Sequence, residues 1–340
     1  MPQVPDIALV SLGTTPGLRR SDEAFAQLVR SAGASCQIVP VRIGAAGRLR
    51  RHIAVTDLVE ALAARRAARG VEARAIVLST VTAAFLQRPR VPFGVRFDAP
   101  AALNRPGAGG AWQRAVERGA LARARVLMPL TEAAAGAAPD GAAEVVRVPI
   151  PVDHVEPASE RDIDAVAYAG YPRKRRPDLV CAAWARAKPV GGGRLVIGGA
   201  DRDKGLRWLE RRGVPEPEGV EWAGELPRAD WLRIVARARA FVNASDWEDY
   251  GVAQFEALAA GTPLVTLPSP GPYEALKLAR QLAPELVTER LEQGLAAALA
   301  LGDAARASYR ERALELLVPY REESIRAVVA ERVLPALGVS

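Results

Sequence analysis

The chain has 340 residues, of which 49% are hydrophobic and 25% charged; this composition excludes a disordered or fibrous protein, and the length favours two domains. Its 46 lysines and arginines outnumber its 39 aspartates and glutamates, which gives a net charge of +7 and suits an anionic ligand, an anionic membrane surface or nucleic acid. Aromatic residues make up only 5% of the chain, which argues against a nucleic-acid binder, because such proteins interleave aromatic with basic residues.

The cysteines and the apolar runs predict a cytoplasmic protein, and the histidines bear on possible metal and catalytic sites. Cys36 and Cys181 lie far apart without metal-ligand spacing, so we predict buried free thiols in a reducing compartment. His52 and His154 form no cluster, which argues against a histidine-based metal site or catalytic triad. The sequence has neither the pattern of a secretory signal nor an apolar run near the roughly 18 residues that a membrane span needs.

The first half of the sequence alternates apolar strands with helices. The predicted strands are Ile7–Leu12, Cys36–Ile43, Arg74–Ser79, Val91–Asp98, Val126–Pro129 and Val145–Val148. A first helix is predicted between Ser21, which can cap it, and Gly33, and further helices cover Thr56–Ala68 and Trp112–Ala124. Repeated strand–helix units predict a mostly parallel sheet.

The second half repeats this alternation after a joint, Val148–Asp153, whose prolines interrupt regular pairing. The predicted strands are Asp164–Gly170, Arg194–Ile197, Val220–Trp222, Ala238–Val242 and Pro263–Leu267. The predicted helices are Pro177–Ala187, Leu206–Arg212, Ala229–Ala238, residues 251–261, Glu274–Leu282, Glu289–Leu301, Ala304–Leu317 and Arg321–Val333. We therefore predict two Rossmann-like α/β domains, residues 1–150 and 151–320, and a C-terminal helix in residues 321–340 that packs back on the first domain.

One stretch, Asn243–Glu274, places acidic side chains beside the start of a helix. Asp246, Glu248 and Asp249 lie in a loop after a strand, and the helix begins near Gly251. The carboxyl edge of a parallel sheet is where ligands bind in such folds, and the N–H groups at a helix start favour phosphate. The stretch therefore predicts a ligand site at the carboxyl edge of a parallel sheet.

This stretch also resembles the E-x7-E signature of the retaining, GT-B-fold glycosyltransferases of family four, the relatives of sucrose and glycogen synthases. The matching letters are E-D-Y-G-V-A-Q-F-E-A-L-A-A-G-T-P-L-V, followed by P-G-P-Y-E. Upstream, G-G-A-D at 198–201 and E-W-A-G-E-L at 221–226 match further family segments in the family's order. The resemblance covers about Asp164–Glu274 and implies a GT-B fold, in which two Rossmann-like domains face an inter-domain cleft.

The resemblance implies roles toward a nucleotide diphosphate sugar, the donor substrate. It makes Glu248 the catalytic residue at the donor sugar and gives Glu256 the ribose hydroxyls. It assigns the diphosphate to the basic loop after Gly170, where Arg173 and Lys174 are the candidates to bind it and Arg176 is a third candidate. The other predicted donor-binding residues are Gly199, Gly224, Tyr250, Gly251, Val252, Gly271 and Glu274.

Two places depart from the family pattern. Tyr171 and Pro172 follow Gly170, where family members carry an arginine and, further on, a lysine. Pro270 replaces the first glycine of the family's G-G-x-x-E stretch, which removes one backbone N–H from the expected phosphate cradle.

The first domain offers weaker signals, which concern an acceptor. Gly13, Thr14, Asp98, Asn104 and Arg105 lie in predicted strand-end loops and are candidates to contact it, although turn formation and surface charge explain them equally well. The sequence does not distinguish a small-molecule, glycan or lipid-linked acceptor. The letters R-L-R-R at 48–51 suit a peripheral contact with an anionic membrane, at its inner face.

The resulting prediction is a retaining, metal-independent glycosyltransferase of the hexosyltransferase kind, with no cofactor besides its donor substrate. The basic loop and the helix start can replace a divalent cation, and the departing phosphate can take the acceptor's proton. A sugar-nucleotide epimerase on the same fold and a non-catalytic nucleotide-binding relative are the alternatives; nucleic acid is not a predicted partner.

Overall fold

Two parallel sheets, each flanked by helices, organise the chain in this computed structural model, which describes residues 4–44, 53–139, 144–187 and 193–339. The chain divides into a first unit, Met1–Pro151 with Tyr320–Ser340, and a second unit, Val152–Pro319.

The first unit contains six described strands and eight described α-helices. Its strands β1–β6 are Ile7–Ser11, Cys36–Pro40, Ala75–Leu78, Phe93–Phe97, Val126–Pro129 and Glu144–Val145. Its helices α1–α6 are Pro16–Ser31, Ile53–Ala68, Val81–Ala84, Ala101–Asn104, Ala111–Leu121 and Glu132–Gly136, and two C-terminal helices are given below.

The second unit contains five described strands. These strands, β7–β11, are Ile163–Tyr168, Leu195–Gly198, Val220–Gly224, Ala238–Asn243 and Leu264–Thr266. Its helices α7–α14 are Pro172–Arg175, Pro177–Ala187, Arg202–Arg212, Arg228–Arg237, Val252–Ala259, Glu274–Leu282, Leu291–Ala300 and Asp303–Leu316.

The first sheet has the strand order β2-β1-β3-β4-β5-β6, and every pair is parallel. β1, β3, β4 and β5 are buried along their whole length, as expected of strands covered by helices on both faces. Because β2 and β3 lie on opposite sides of β1, the strand order reverses at β1. In open α/β sheets this switch point forms a crevice at the carboxyl ends of the strands.

The C-terminal residues complete the core of the first unit. Helix α15 (Glu322–Val328) continues through a π-helical turn, Val329–Val333, into α16 (Leu334–Ala336). Ile325, Val329 and Val333 are buried in the same apolar cluster as Phe25 of α1 and Leu9 of β1. Residues 322–339 therefore cover one face of the first sheet.

The second sheet has the order β11-β10-β7-β8-β9, again parallel throughout. β7 is its first strand in the chain, with β8 on one side and β10 on the other. The switch point of this sheet is therefore between β7 and β10. The loops that follow these two strands meet at one place on the carboxyl edge.

Two sequence predictions about local structure were wrong. Helix α1 begins at Pro16, not near Ser21, because Thr15 accepts a hydrogen bond from the Leu18 N–H at 3.2 Å and a proline suits the first helical turn. The predicted basic loop is in part a short helix, α7, which also begins at a proline.

The structure also bears on the thiols and on membrane spans. Cys36 and Cys181 are both free, and burial raises their pKa values to about 11 and about 12. Both groups are therefore neutral thiols at neutral pH. Across the part of the chain that is described, no helix combines the length and apolar character that crossing a membrane requires.

Candidate functional site

Acidic and basic side chains meet at the switch point of the second sheet. The acidic loop follows β10 and leads to α11, and the basic helix α7 follows β7. The Asp246 N–H donates to the Lys174 carbonyl at 3.0 Å, so the two backbones are in direct contact. Residues more than 70 positions apart in the sequence thus form one cluster.

Glu248 lies at the centre of this cluster, with 2% of its surface exposed. Its carboxylate accepts hydrogen bonds from Arg175 Nη1 and, at 3.2 Å, from Gln254 Nε2. Ser245 donates to the same oxygen, Oε2, at 3.4 Å, whereas Lys174 Nζ lies 3.5 Å from the other oxygen, Oε1. Buried carboxylates require such charged and hydrogen-bonded partners.

The two neighbouring acids also have cationic partners. Asp249 accepts hydrogen bonds from Lys174 Nζ and Trp247 Nε1, both at 2.7 Å. Asp246 accepts from Arg176 Nη1 at 2.8 Å. The basic helix therefore neutralises the acidic loop, which otherwise would gather three carboxylates without compensation.

Two glycines give the acidic loop its shape. Gly251, at φ +93°, precedes α11, and a Cβ there would lie 2.7 Å from the Tyr273 ring. Gly271, at φ +114°, passes so close to the loop that a Cβ would lie 2.3 Å from the Glu248 carbonyl oxygen. The Glu248 N–H donates to the Pro270 carbonyl at 3.0 Å. Pro270 thus fixes Glu248 through its carbonyl, although it offers no N–H.

Glu256 lies on α11 and is also buried, with 6% exposure. Arg228 Nη1 donates to one carboxylate oxygen, and Trp231 Nε1 donates to the other at 2.6 Å. Arg228 also donates to Asp153 at 2.7 Å. The Glu256 carboxylate is therefore held in a fixed orientation by two residues of α10.

A half-exposed aromatic ring lies beside Gly170 and Gly199. A Cβ on Gly170 would lie 2.6 Å from the Tyr168 hydroxyl, and one on Gly199 would lie 2.7 Å from the same ring. Tyr168 is 37% exposed, lies edge-on to Trp231 at 5.5 Å between ring centroids, and has the Arg175 guanidinium 5.9 Å from its ring centre. The two glycines therefore make room for Tyr168 at the switch point.

The remaining predicted donor-binding residues differ in burial and in the space around them. Tyr250 is 5% exposed and stacks on Phe255 at 4.9 Å, so its ring is a packing group. Gly224 (φ +67°) has open space where a Cβ would be. Val252 is the first residue of α11, and Glu274 is buried at the start of α12. Their roles in donor binding stay predictions.

The sequence analysis missed Arg175, Arg228 and Trp231. Arg173, a predicted candidate, is exposed and has no hydrogen-bonding partner among the described residues, whereas its neighbour Arg175 contacts Glu248. Pro172 is a helix-start signal. A helix that begins there places residues 174 and 175 on the same face as residue 171, because residues three and four positions apart are neighbours on a helix. Arg228 and Trp231 have the i, i+3 spacing that places two side chains together on a helix.

The first unit has a cavity of about 310 Å³ at its own switch point. Thr14 lines it after β1, Thr80 after β3 and Asp98 after β4. Asn104 and Arg105 also line it, whereas Gly13, at φ +51°, accepts a hydrogen bond from Arg19 at 2.8 Å and is not part of the lining. Four of the five predicted acceptor residues are thus close together, and their role toward an acceptor stays a prediction.

Buried charges lie in the wall of this cavity. Arg105 binds both oxygens of Asp57 at 3.1 Å. Glu117 accepts the Ala101 N–H at 2.8 Å. Burial raises the pKa of Glu117 from 4.5 to about 7, although the Ala101 N–H and Arg105 act in the opposite direction.

We expect this carboxyl group to make stability depend on pH. Between pH 5 and 7 Glu117 is largely protonated in the folded chain but ionised in the unfolded chain, so rising pH favours the unfolded chain. Its contribution to the free energy of unfolding should fall by about 2 kcal/mol over this interval. Urea titrations of the wild type and Glu117→Gln at both pH values test this, and an equal pH dependence of the two proteins would contradict it.

The structure describes one of the two histidines, His154, and does not describe the R-L-R-R segment. His154 is exposed and lies 2.9 Å from Glu156. His52 and the arginines at 48, 50 and 51 lie outside the described residues.

Comparison with known families gives a match, which lies within the second unit. Residues 163–301 match the family model described as "Glycosyl transferases group 1". This match confirms, over that segment, the resemblance predicted from the E-x7-E stretch. Comparison with curated protein sequences gave no match.

Solved structures with the same fold match nearly the whole chain. Sucrose-phosphate synthase from Thermosynechococcus elongatus is 16% identical, with a TM-score of 0.66 over 99% of this chain and 100% of that one. A structure described as trehalose-6-phosphate from E. coli bound with UDP-2-fluoro glucose is 12% identical, with a TM-score of 0.67 over 98% and 99%. In a GtfA/B complex the match is 15% identical (TM-score 0.58) over 82% of this chain, which spans 61% of that one. These similarities confirm the predicted α/β fold class with two Rossmann-like domains.

Proposed function

We propose that this protein is a retaining, metal-independent glycosyltransferase that uses a nucleotide diphosphate sugar. The match of residues 163–301 to the group 1 glycosyltransferases supports sugar transfer. The observation that carries the finer proposal is the pairing of Lys174 and Arg175 with Glu248 at the switch point of the second sheet. There the chain supplies both the cations that a diphosphate requires and a carboxylate for sugar hydroxyls.

Donor binding exchanges the partners of these charges. The diphosphate takes Lys174 and Arg175, because guanidinium and ammonium groups form strong charge-assisted hydrogen bonds with phosphate. The α11 N-terminus, preceded by Gly251, adds N–H donors and the positive end of a helix dipole. Glu248 thereby gains free acceptor positions for the sugar, and Glu256, held by Arg228 and Trp231, offers its remaining lone pairs to the ribose hydroxyls.

Transfer then occurs on one face of the sugar. The bond between the anomeric carbon and the diphosphate oxygen breaks while the acceptor oxygen forms its bond on the same face. The acceptor's proton passes to the departing phosphate oxygen, so no enzyme base is required. Lys174, Arg175 and the helix start stabilise the charge that develops on the leaving group, and the cavity of the first unit is the proposed acceptor region.

A thermal-shift panel identifies the donor. We expect one of UDP-, GDP-, ADP- or TDP-sugars to raise the melting temperature, because a ligand that binds only the folded chain stabilises it. A donor that is turned over to an epimer instead of being transferred would favour the epimerase. A donor that binds without turnover in the presence of small-molecule, glycan and lipid-linked acceptors would favour the non-catalytic relative.

Lys174→Ala tests the diphosphate assignment. We expect the affinity for the nucleoside diphosphate to fall about tenfold, as the loss of one charge-assisted hydrogen bond predicts, while the affinity for the nucleoside stays unchanged. Calorimetric titration of both ligands measures the two effects. Arg207→Ala is the matched control, because Arg207 is an exposed arginine on α9 and is not a predicted donor-binding residue. Equal losses for nucleoside and diphosphate would contradict the assignment.

A peripheral membrane contact and a cytoplasmic location remain part of this proposal. The membrane contact rests on the basic net charge of +7, which favours anionic surfaces. The cytoplasmic location rests on the two free cysteines, which are typical of a reducing compartment.

A further inference from the structure

A second charged cavity lies in the second unit, at the edge of the sheet opposite the proposed donor site. Its volume is about 900 Å³. Arg161 precedes β7, and Arg239 is the second residue of β10; both line the cavity, together with Arg306 and Arg310 of α14. The amino ends of parallel strands share one edge, whereas the donor site is at the carboxyl ends. This cavity, here called the arginine pocket, is therefore separate from the donor site.

Two of the four arginines are held mainly by backbone carbonyl groups. Arg161 donates to the carbonyl oxygens of Ala260 and Gly261, at 3.1 and 3.2 Å, after the C-terminal end of α11. Arg306 donates to the carbonyl oxygens of Ala298 and Leu301, at 2.6 and 3.0 Å, at the end of α13. Carbonyls at helix ends attract cations. These bonds orient the guanidinium groups without placing a carboxylate beside them.

The third arginine has a single carboxylate partner. Arg239 donates to Asp164 at 3.0 Å and to the Leu299 carbonyl at 2.6 Å. The acids that line the pocket, Glu160, Asp303 and Glu311, are exposed. The interior is therefore rich in positive charge, and its acids lie where water screens them.

Arg310 differs from the other three. The carbons of its side chain lie over Gly261, where a Cβ would approach them to 2.3 Å. Its Nε is buried and has no hydrogen-bond partner, and the guanidinium makes no hydrogen bond or ion pair to any residue that the structure describes. A role as a backbone clamp explains Arg161 and Arg306. It does not explain a buried donor that is left unsatisfied, since such groups normally find a partner.

The positive charges of the arginine pocket also repel one another. Burial lowers the pKa of Arg306 to about 10, and Arg239 and Arg161 add to this effect. Burial and the neighbouring Arg310 likewise lower the pKa of Arg161. An anion in the pocket would relieve this repulsion.

We propose that the arginine pocket binds a small phosphorylated molecule, with Arg310 as its principal contact. A guanidinium group matches two phosphate oxygens at once, and arginines on several elements can surround a tetrahedral dianion. The volume of about 900 Å³ accommodates a phosphorylated molecule larger than phosphate itself, within the usual range of ligand pockets. The phosphate belongs either to a soluble compound or to a lipid headgroup.

Titration of the full-length protein with inorganic pyrophosphate tests this site. The variant is Arg310→Met, which keeps the aliphatic part over Gly261 and removes the charged donors. We expect the wild type to show two classes of pyrophosphate site. In Arg310→Met, the affinity of one class for pyrophosphate should fall at least about tenfold. Arg207→Met is the matched control, because Arg207 is an exposed arginine on α9, and it should bind like the wild type.

Lys174→Ala, alone and combined with Arg310→Met, separates this site from the donor site. If Lys174→Ala binds pyrophosphate like the wild type, the diphosphate site of the proposed function is contradicted. The comparison of Arg310→Met with the wild type still tests the arginine pocket. If Arg310→Met titrates pyrophosphate like the wild type, in both backgrounds, a soluble phosphate is excluded as the ligand of this site.

Vesicles with phosphatidic acid distinguish the source of the phosphate, with phosphatidylcholine vesicles as the blank. Arg310-dependent binding of these vesicles alone identifies a lipid phosphate, and Arg310-dependent binding of pyrophosphate identifies a soluble one. If Arg310→Met unfolds at the same temperature as the wild type and binds both pyrophosphate and the phosphatidic acid vesicles like the wild type, the proposal is overturned.

Discussion

Gly271→Ala should lower the free energy of unfolding by about 3–5 kcal/mol, the range of severe single substitutions, and abolish donor binding. Gly271 has φ +114°, a conformation that costs other residues roughly 1–3 kcal/mol. The added Cβ would also lie 2.3 Å from the Glu248 carbonyl oxygen and 2.9 Å from the Trp247 ring. Overpacking of this kind typically costs a further 1–3 kcal/mol or so.

The clash cannot be relieved locally, because Glu248 is held both at its backbone N–H and at its carboxylate. The Glu248 N–H is bonded to the Pro270 carbonyl at 3.0 Å, and the Glu248 carboxylate is fixed by Arg175 and Gln254. We therefore expect the acidic loop to move away from the switch point, and Glu248 to lose its position in the site.

Gly213→Ala is the matched control for this prediction. Gly213 also has a positive φ, +65°, but no atom lies within 4 Å of the place where a Cβ would be. We expect a loss of about 1–2 kcal/mol from backbone strain alone and unchanged donor binding. Urea titrations of both variants measure the difference, and equal losses would contradict the proposed contact with Glu248.

Glu248→Gln should reduce the rate of sugar transfer by about 10²–10³-fold. The amide keeps the size of the side chain and one acceptor oxygen, but it removes the charge that balances Lys174 and Arg175 and that holds the sugar in the proposed mechanism. Loss of one preorganised group at a reacting centre typically has an effect of about this size. The initial rate of transfer from the donor found by thermal shift is the measurement.

Asp246→Asn is the matched control in the same loop. Asp246 pairs with Arg176, but 53% of its side chain is exposed, and exposed ion pairs contribute little. We expect transfer to stay within about threefold of the wild type, since an exposed pair contributes less than about 1 kcal/mol. Thermal unfolding of both variants separates lost activity from lost structure, and Glu248→Gln that transfers as fast as Asp246→Asn would contradict the role of Glu248.

The sequence was sufficient for most of the strands and helices. The apolar runs of β1 and β8 are local patterns, because a strand between two helical layers is apolar throughout. The helices α1 and α9, which follow these strands, were predicted from the same kind of pattern. Helix α1 shows the limit of this approach. Ser21 has the chemistry of a cap, yet Thr15 with Pro16 starts the helix earlier, and Ser21 instead accepts a hydrogen bond from the buried Arg96 at 2.8 Å.

The candidate site was only partly predictable. The letters around Glu248 and Glu256 indicated the acidic loop and the helix after Gly251. They did not indicate which cation faces which acid. Arg173 and Arg175 are alike in type and differ by two positions, so only the direction of the short helix α7 decides that Arg175 reaches Glu248.

The sequence by itself determined the alternation of strands and helices, the family resemblance of residues 163–301 and the place of the acidic loop at a strand end, because these depend on neighbouring residues. Only the tertiary structure decided the pairing of Glu248 with Arg175 and of Glu256 with Arg228 and Trp231, and the gathering of four arginines at the opposite sheet edge. These contacts join residues distant in the chain, and their formation depends on strand order and on the burial of charge, which no local pattern contains.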